Sequence, residues 1–191
     1  MIRSLQGARA SLTCISHLHQ WGGRAKTTIL QRAAFAYWLE MTANFTKLTD
    51  DYYVSPQISP EDVAAAADNG FGLIVNNRPD GEMIGQPKSA EIETAAAAAG
   101  VQYAHIPVGQ AGITGGHIDA LKTALDGANN SKTLAFCRSG ARSTFLMAYL
   151  SAVEGRAVSD IVAEAANAGF DISAHAPMLE ALGNERKEDD E

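Results

Sequence analysis

The sequence predicts an α/β fold in which a mainly parallel sheet is flanked by helices. Two observations carry that expectation. Short apolar runs alternate with helix-like segments from residue 41 onward, the order that builds a parallel sheet through crossover helices. One of the runs, Thr133-Leu134-Ala135-Phe136, passes through Cys137-Arg138-Ser139-Gly140-Ala141-Arg142-Ser143 into Thr144-Phe145-Leu146-Met147-Ala148-Tyr149-Leu150, which is apolar on nearly every side. That pattern reads as a buried strand, a tight anion-sized loop and a buried helix.

The other elements follow in order. Phe45 to Leu48 and Tyr52 to Val54 flank Thr49-Asp50-Asp51, predicting a short hairpin or two edge strands. Ser59-Pro60-Glu61-Asp62 combines an N-cap serine, a first-turn proline and acids at the positive helix end, so a helix runs to about Asn69 and stops at Gly70. Gly72 to Asn76 is a buried strand, and Asn77-Arg78-Pro79-Asp80-Gly81-Glu82 is the loop at its carboxyl end. Ser89 to Ala99 forms a helix closed by Gly100, and Val101 to Val108 forms the next strand. Gly109 to Gly116 is a flexible connection, with Thr114 a cap for a helix from about His117 to Leu125. The helix behind Cys137 reaches about Val153; Ser159-Asp160 opens another over Ile161 to Ala168, and a short one covers Pro177 to Leu182. Glu185 to Glu191 reads as a solvated, frayed tail. Ligands of such sheets sit beyond the carboxyl ends of the strands, where loops 77–87, 109–116 and 137–142 meet.

Bulk properties narrow the function. The chain has 191 residues, 46% of them apolar, enough for one domain with a sizeable core. No apolar run is long enough for a membrane span, so no membrane partner is expected. Cys14 and Cys137 are the two cysteines, too few for a disulfide framework, which suits a reducing compartment and a cytoplasmic location. The net charge of −7 is uneven: residues 1–40 hold five basic residues against Glu40, a net of +4, which leaves −11 for residues 41–191. An acidic main domain argues against nucleic acid as a partner.

Three domains are expected: a basic extension over residues 1–40 outside the fold, the main domain over 41–184, and the tail over 185–191. The extension is acid-poor and lacks the apolar core of a secretory signal. It reads as the product of a start set too early, with Met41 as the first true residue; a targeting segment and a helical appendage are the alternatives. Cys14-x-x-His17-x-His19 offers three donors without a fourth, so no metal site is assigned there, and no cofactor is expected.

The chemistry concentrates at the cysteine loop. A thiol there faces a helix N-terminus, whose unpaired N–H groups and dipole favour the thiolate form. Cys137 is therefore the candidate nucleophile, and Arg142 the bidentate donor for an anionic substrate. Arg138, Ser139, Gly140, Ala141 and Ser143 complete the candidate substrate-binding loop. Asp80 belongs to a turn sequence in its own right, and His105, inside a strand, reads as a satisfied core histidine.

Asn76-Asn77-Arg78-Pro79-Asp80-Gly81 after a strand, His105-Ile106-Pro107-Val108, and Cys137-Arg138-Ser139-Gly140-Ala141-Arg142-Ser143 occur in that order, with Ser59-Pro60-Glu61-Asp62 ahead of them. The set resembles the phosphatase-like domain of the β-lactamase-hydrolase-like proteins over residues 44–153. The resemblance implies a cysteine-phosphatase-like fold with a strand–Cys-loop–helix active site. The family is also catalogued as sulfurtransferases, and its members occur alone or fused to a metallo-hydrolase. Cysteine phosphatases use a Cys-x5-Arg loop, whereas Cys137-x4-Arg142 is one residue shorter, the length of rhodanese-type loops that hold a persulfide. Phosphatases of this fold also supply an aspartate from the loop after the His-Ile-Pro-Val strand. Here no Asp or Glu lies between Glu93 and Asp119, which leaves Asp80 or Glu82 as substitutes.

The resulting expectation is sulfane-sulfur transfer through a Cys137 persulfide, between a small anionic or persulfide substrate and a thiol acceptor. A persulfide-consuming metallo-hydrolase is the expected partner. The rivals are phosphate ester hydrolysis through a cysteinyl-phosphate with Asp80 as acid, and a non-catalytic anion-binding or redox-sensing module. Truncation to residues 41–191 is expected to leave solubility and activity unchanged; loss of solubility on that truncation would show that the first 40 residues belong to the fold.

Overall fold

The computed structural model describes residues 45–129 and 131–189. The expectations for the first 40 residues, including Cys14, lie outside the described residues. The strands are β1 (Thr46–Lys47), β2 (Tyr52–Ser55), β3 (Phe71–Asn76), β4 (Gln102–His105) and β5 (Lys132–Phe136). The helices are α1 (Pro60–Asp68), α2 (Ser89–Ala99), α3 (Gly115–Gly127), α4 (Ala141–Val153), α5 (Val158–Asn167) and α6 (Ala176–Asp189), with a 3-10 turn at Ser173–His175. The sheet order is β1-β2-β5-β3-β4, parallel throughout except for the β1–β2 hairpin. The α/β expectation therefore holds.

The order puts the last strand, β5, in the centre. β2 passes through α1 to β3, leaving a gap; β4 adds outside β3; the chain then returns through α3 and fills the gap with β5. Right-handed crossovers running in opposite directions place their helices on opposite faces. The core divides accordingly. On one face Ile74, Leu134 and Phe136 pack with Val63 and Ala66 of α1 and Ile92 and Ala96 of α2. On the other, Val54, Leu73, Val75 and Ala135 pack with Ile118, Leu121, Leu146, Leu150, Ile161 and Leu179. Alternate residues of β3 and β5 thus serve opposite layers, as the two-residue strand period requires. α4 is buried along most of its length, which explains a sequence apolar on nearly every side.

Local chemistry sets the boundaries. Ser59 caps α1 reciprocally: its Oγ accepts from Asp62 N at 3.3 Å, and Asp62 Oδ2 accepts from Ser59 N at 2.7 Å. Gly72 sits at a register shift between β3 and β5, where a Cβ would lie 2.5 Å from Ser131 Cβ. β4 is shorter than expected because Pro107 has no N–H to continue the ladder; Ile106 N and Val108 N on either side still donate to Asn76 O and Asn77 O. α3 begins at Gly115, two residues before the expected start. β2, expected as half of a hairpin or as an edge strand, pairs on both sides. α6 carries its helix through the charged stretch to Asp189, where Glu, Arg and Lys are good helix formers. Among the described residues no helix is long and apolar enough to cross a membrane.

Leu134 is fully buried at the middle of the central strand. Leu134→Ala should cost about 2–5 kcal/mol, against about 1 kcal/mol for removing the cap by Ser59→Ala. Denaturant titration of the two variants checks that ranking.

Candidate active site

Cys137 follows β5 directly, at the carboxyl end of the central strand. Its N–H donates to Ser55 O at 3.4 Å on one side, while Phe136 O accepts from Asn77 N at 2.8 Å on the other. The loop then turns through Gly140, with φ +91°, into α4. A Cβ there would lie 2.9 Å from Phe170 Cζ, so glycine is required by both conformation and space. The turn aims Gly140 N–H at the thiol, 3.1 Å from Cys137 Sγ.

Cys137 is fully buried, as a core cysteine would be. What sets it apart is the company its sulfur keeps: a backbone N–H at a helix start and the guanidinium of Arg142, which interacts with it. Tyr52, paired with β5, is also a close neighbour; burial first and Cys137 second push its phenol up and keep it neutral. Arg138 and Ser139 are exposed at the crown of the loop, Ala141 is half-buried, and Gly140 and Ser143 are buried. The Oγ atoms of Ser143 and of Ser55 make no hydrogen bond.

Arg142 is held from two sides. It donates to Val108 O at 2.8 Å and forms a bidentate pair with Glu82, NH1 to Oε1 at 2.6 Å and NH2 to Oε2 at 2.9 Å. The same carboxylate accepts from Arg78 Nε at 2.8 Å. Arg78 donates through NH1 to Gln57 Oε1 at 2.8 Å, and its side chain is 4% exposed. Its NH2 is buried without a partner. Hydrogen bonding to Arg142 is the largest cause that holds the Glu82 carboxyl down at about 2, with Arg78 and both positive charges adding to it against the cost of burial. The Arg142 guanidinium is raised by the same pair.

Asp80, the acid that sequence offered to the phosphatase reading, is engaged at the start of α2. Its two oxygens accept from Ser89 N and Ser89 Oγ, each at 2.8 Å, which caps the start of α2 and keeps the carboxyl below its ordinary value. In this arrangement Asp80 serves as a capping group. His105 is satisfied, with Nε2 3.1 Å from Arg78 O, yet it lies exposed and not in the core. His117, which carried no constellation in sequence, fastens the loop over 109–116: Nδ1 accepts from Thr114 N at 3.0 Å, which leaves Nε2 to donate to Pro107 O at 3.2 Å. Arg78 and Glu82 are the two residues that sequence reasoning undervalued. Their spacing of four around a Pro-Asp-Gly turn was the available signal.

Beside Arg142 a cleft of about 630 Å³ opens between loop 109–116, α4 and α6. Ile113, Phe145, Tyr149 and Met178 give it an apolar wall, and its size is that of a small-molecule site.

Two changes check this geometry. Gly140→Ala should destabilise the fold by about 1–3 kcal/mol, read by thermal unfolding, and displace the N–H from the Cys137 sulfur. Asp80→Ala should lower the melting temperature at neutral pH without altering turnover. The Asp80 carboxyl is depressed in the fold, so its contribution is complete above its ordinary value of 3.8 and fades as pH falls through the lowered one. The difference between variant and parent should therefore close at acid pH.

Comparison with known proteins agrees with this architecture. A family model for the phosphatase-like domain of beta-lactamase hydrolase-like protein matches residues 44–154. The beta-lactamase hydrolase-like protein of Agrobacterium fabrum is 37% identical over 120 residues, 62% of this chain and 28% of the relative. That of Xylella fastidiosa is 34% identical over 128 residues, 66% of this chain and 30% of the relative. The chain thus spans less than a third of the length of these relatives. Among solved structures, a phosphatase candidate from Neisseria meningitidis is 31% identical with a TM-score of 0.62, covering 72% of this chain and 97% of its own. The structure of Tk-PTP in the active form is 15% identical with a TM-score of 0.58, covering 73% of this chain and 96% of its own, and shares the fold. With the cysteine loop at the carboxyl end of a central parallel strand and this family match over more than half its length, the chain belongs to the phosphatase-like domain family of the β-lactamase hydrolase-like proteins and has a cysteine-phosphatase-like fold.

Proposed function

We propose that the protein is a cysteine-nucleophile enzyme that moves sulfane sulfur through a persulfide on Cys137. One observation carries the reading: both carboxylates that sequence offered as general acids are held ionised, Asp80 by Ser89 and Glu82 by Arg142 and Arg78. Hydrolysis of an alkyl phosphate needs an acid to protonate the leaving oxygen, an effect worth about 10²–10⁴ in rate. Sulfur transfer expels a thiolate and needs none. The four-residue span from Cys137 to Arg142 supports the same choice, since a smaller ring suits a terminal sulfur better than a tetrahedral phosphate.

In the first step the Cys137 thiolate attacks the outer sulfur of a persulfide, RSSH. The Cys137 S–S bond forms, the donor S–S bond breaks, and its electron pair leaves on RS⁻. Gly140 N–H faces the Cys137 sulfur, where it stabilises the thiolate before this attack and again when the second step restores it, and Arg142 orients the donor. In the second step an acceptor thiolate, R′S⁻, attacks the outer sulfur of the Cys137 persulfide and restores the Cys137 thiolate. Atoms and charge balance in both steps without an oxidant. The cleft beside Arg142 has room for the body of donor or acceptor. A metallo-hydrolase that consumes the persulfide product is the matching partner.

Phosphate ester hydrolysis through a cysteinyl-phosphate is the second reading. The phosphatase descriptions of the family model and of the Neisseria meningitidis structure favour it. Aryl phosphates, whose leaving groups need little protonation, are its most favourable substrates.

Exposure to glutathione persulfide should leave the Cys137 peptide one sulfur heavier by mass spectrometry and release glutathione, with both signals lost in Cys137→Ser. Arg142→Ala should lower kcat/KM by about 10²-fold or more. Turnover of an aryl phosphate with no sulfur adduct would overturn sulfur transfer in favour of the second reading; neither signal would leave a binding module.

A further inference from the structure

The cleft beside Arg142 changes character along its length. Arg142, Phe145 and Tyr149 line it from successive turns of α4, so one face of that helix forms its floor over about 10 Å. Met178 and Leu182 of α6 and Ile113 of loop 109–116 stand around that floor. Beyond Arg142, the polar side chains along the wall are engaged within the protein. Tyr149 Oη lies 3.1 Å from His175 Nδ1, and Thr114 Oγ1 lies 2.9 Å from His117 Nδ1. The His175 ring rests on Phe145, with centroids 4.5 Å apart. Glu185 also lines the cleft but is exposed to solvent. We infer that this cleft seats the body of the persulfide donor, RSSH, and selects an apolar R, alkyl or aromatic, over a hydrophilic peptide such as glutathione. The inference rests on the reading of Cys137 as a sulfur-transfer nucleophile for the reacting head; the preference for an apolar body rests on the cleft alone.

Arg142 connects the cleft to the reacting centre, since its guanidinium interacts with Cys137 and also lines the cleft. Glu82 and Val108 O engage three of its five N–H groups, which leaves two for the sulfur and the head of a substrate. Past that point the cleft offers ring, methyl and thioether surface. An apolar body laid there would release water from both surfaces. The carboxylates and amides of glutathione would lose hydration against the same wall without partners to replace it. Met178 points the same way: among the described residues it is one of three large apolar side chains left exposed, at 53%, and a bound alkyl or aromatic group would cover it.

The test is an NMR titration of the unaltered protein that follows the Ile113 amide and the Met178 methyl. Its probes are methanesulfonate, hexanesulfonate and glutathione sulfonate. All three carry the same sulfonate head, so what the cysteine loop contributes, Arg138 included, is common to them. A fully buried methylene tightens binding about fourfold, so five half-buried ones should make hexanesulfonate bind about 30-fold tighter than methanesulfonate. Hexanesulfonate should also bind tighter than glutathione sulfonate. Met178→Asp alters an exposed position in the first turn of α6, where an acid suits the helix. It should cut the gain from methyl to hexyl about tenfold. A gain below about threefold in the unaltered protein, or tighter binding of glutathione sulfonate, would overturn the inference even if the variant fails to fold. So would a folded Met178→Asp protein that keeps the full gain, which would place the alkyl chain elsewhere. The titration moves no sulfur, so failure of the apolar preference and failure of sulfur transfer are read separately. As a kinetic counterpart, hexyl persulfide should exceed glutathione persulfide in kcat/KM, and the reverse order would overturn the cleft as the seat of the donor.

Discussion

The site depends on a single backbone turn. β5 is paired on both sides, and its last carbonyl and the following N–H are still engaged with Asn77 and Ser55. The chain must leave this fixed frame and start a buried helix within four residues. It does so through Gly140 at φ +91°, with Phe170 packed where a side chain would stand. Because the strand is central and the helix is buried, neither can shift to accommodate a different turn. The thiol, the N–H that faces it and Arg142 one turn further on therefore keep their relative positions. The placement of Cys137 is in this sense a consequence of sheet order: the last strand fills the gap left by the first crossover, and its carboxyl end is held on both sides.

Electrostatics completes what the turn begins. Two arginines beside a buried thiol would repel each other and carry an uncompensated desolvation cost. Glu82 resolves that conflict by accepting from both, and the strength of the arrangement shows in a carboxyl held down at about 2. The same pairing disfavours the protonated form of Glu82. Stability of the charged cluster and proton donation are thus alternatives at this position, and the geometry takes the first.

Much of this was legible in sequence, and the limits have physical causes. The cysteine loop, its flanking strand and its helix are contiguous, so their pattern could be read directly. The Ser59 cap and the glycine stops were legible because capping is local. Strand order was not: β2 becomes internal only because β5 inserts beside it, and nothing within Tyr52–Ser55 records that. Asp80 illustrates the same limit at the site. Its partner Ser89 lies nine residues away across an irregular loop, so a capping role and a catalytic role looked alike. Arg78 looked like part of a turn, and its burial rests on Gln57, twenty-one residues earlier.

A cysteine-phosphatase-like fold fixes where a nucleophile stands; it does not fix the atom the nucleophile accepts. That choice lies in the span between cysteine and arginine and in the carboxylates that surround them. A phosphatase requires a ring wide enough for three oxygens and a protonated acid within reach of the leaving group. This chain has a span one residue shorter, one candidate acid spent on a helix cap and the other bound between two guanidinium groups. These are the features on which the proposed sulfur transfer rests, since a sulfur whose leaving group is already a stable thiolate makes none of those demands. Kinship with phosphatases lies in the strand, the turn and the helix, and the charge placed around them is where a choice of chemistry would be made.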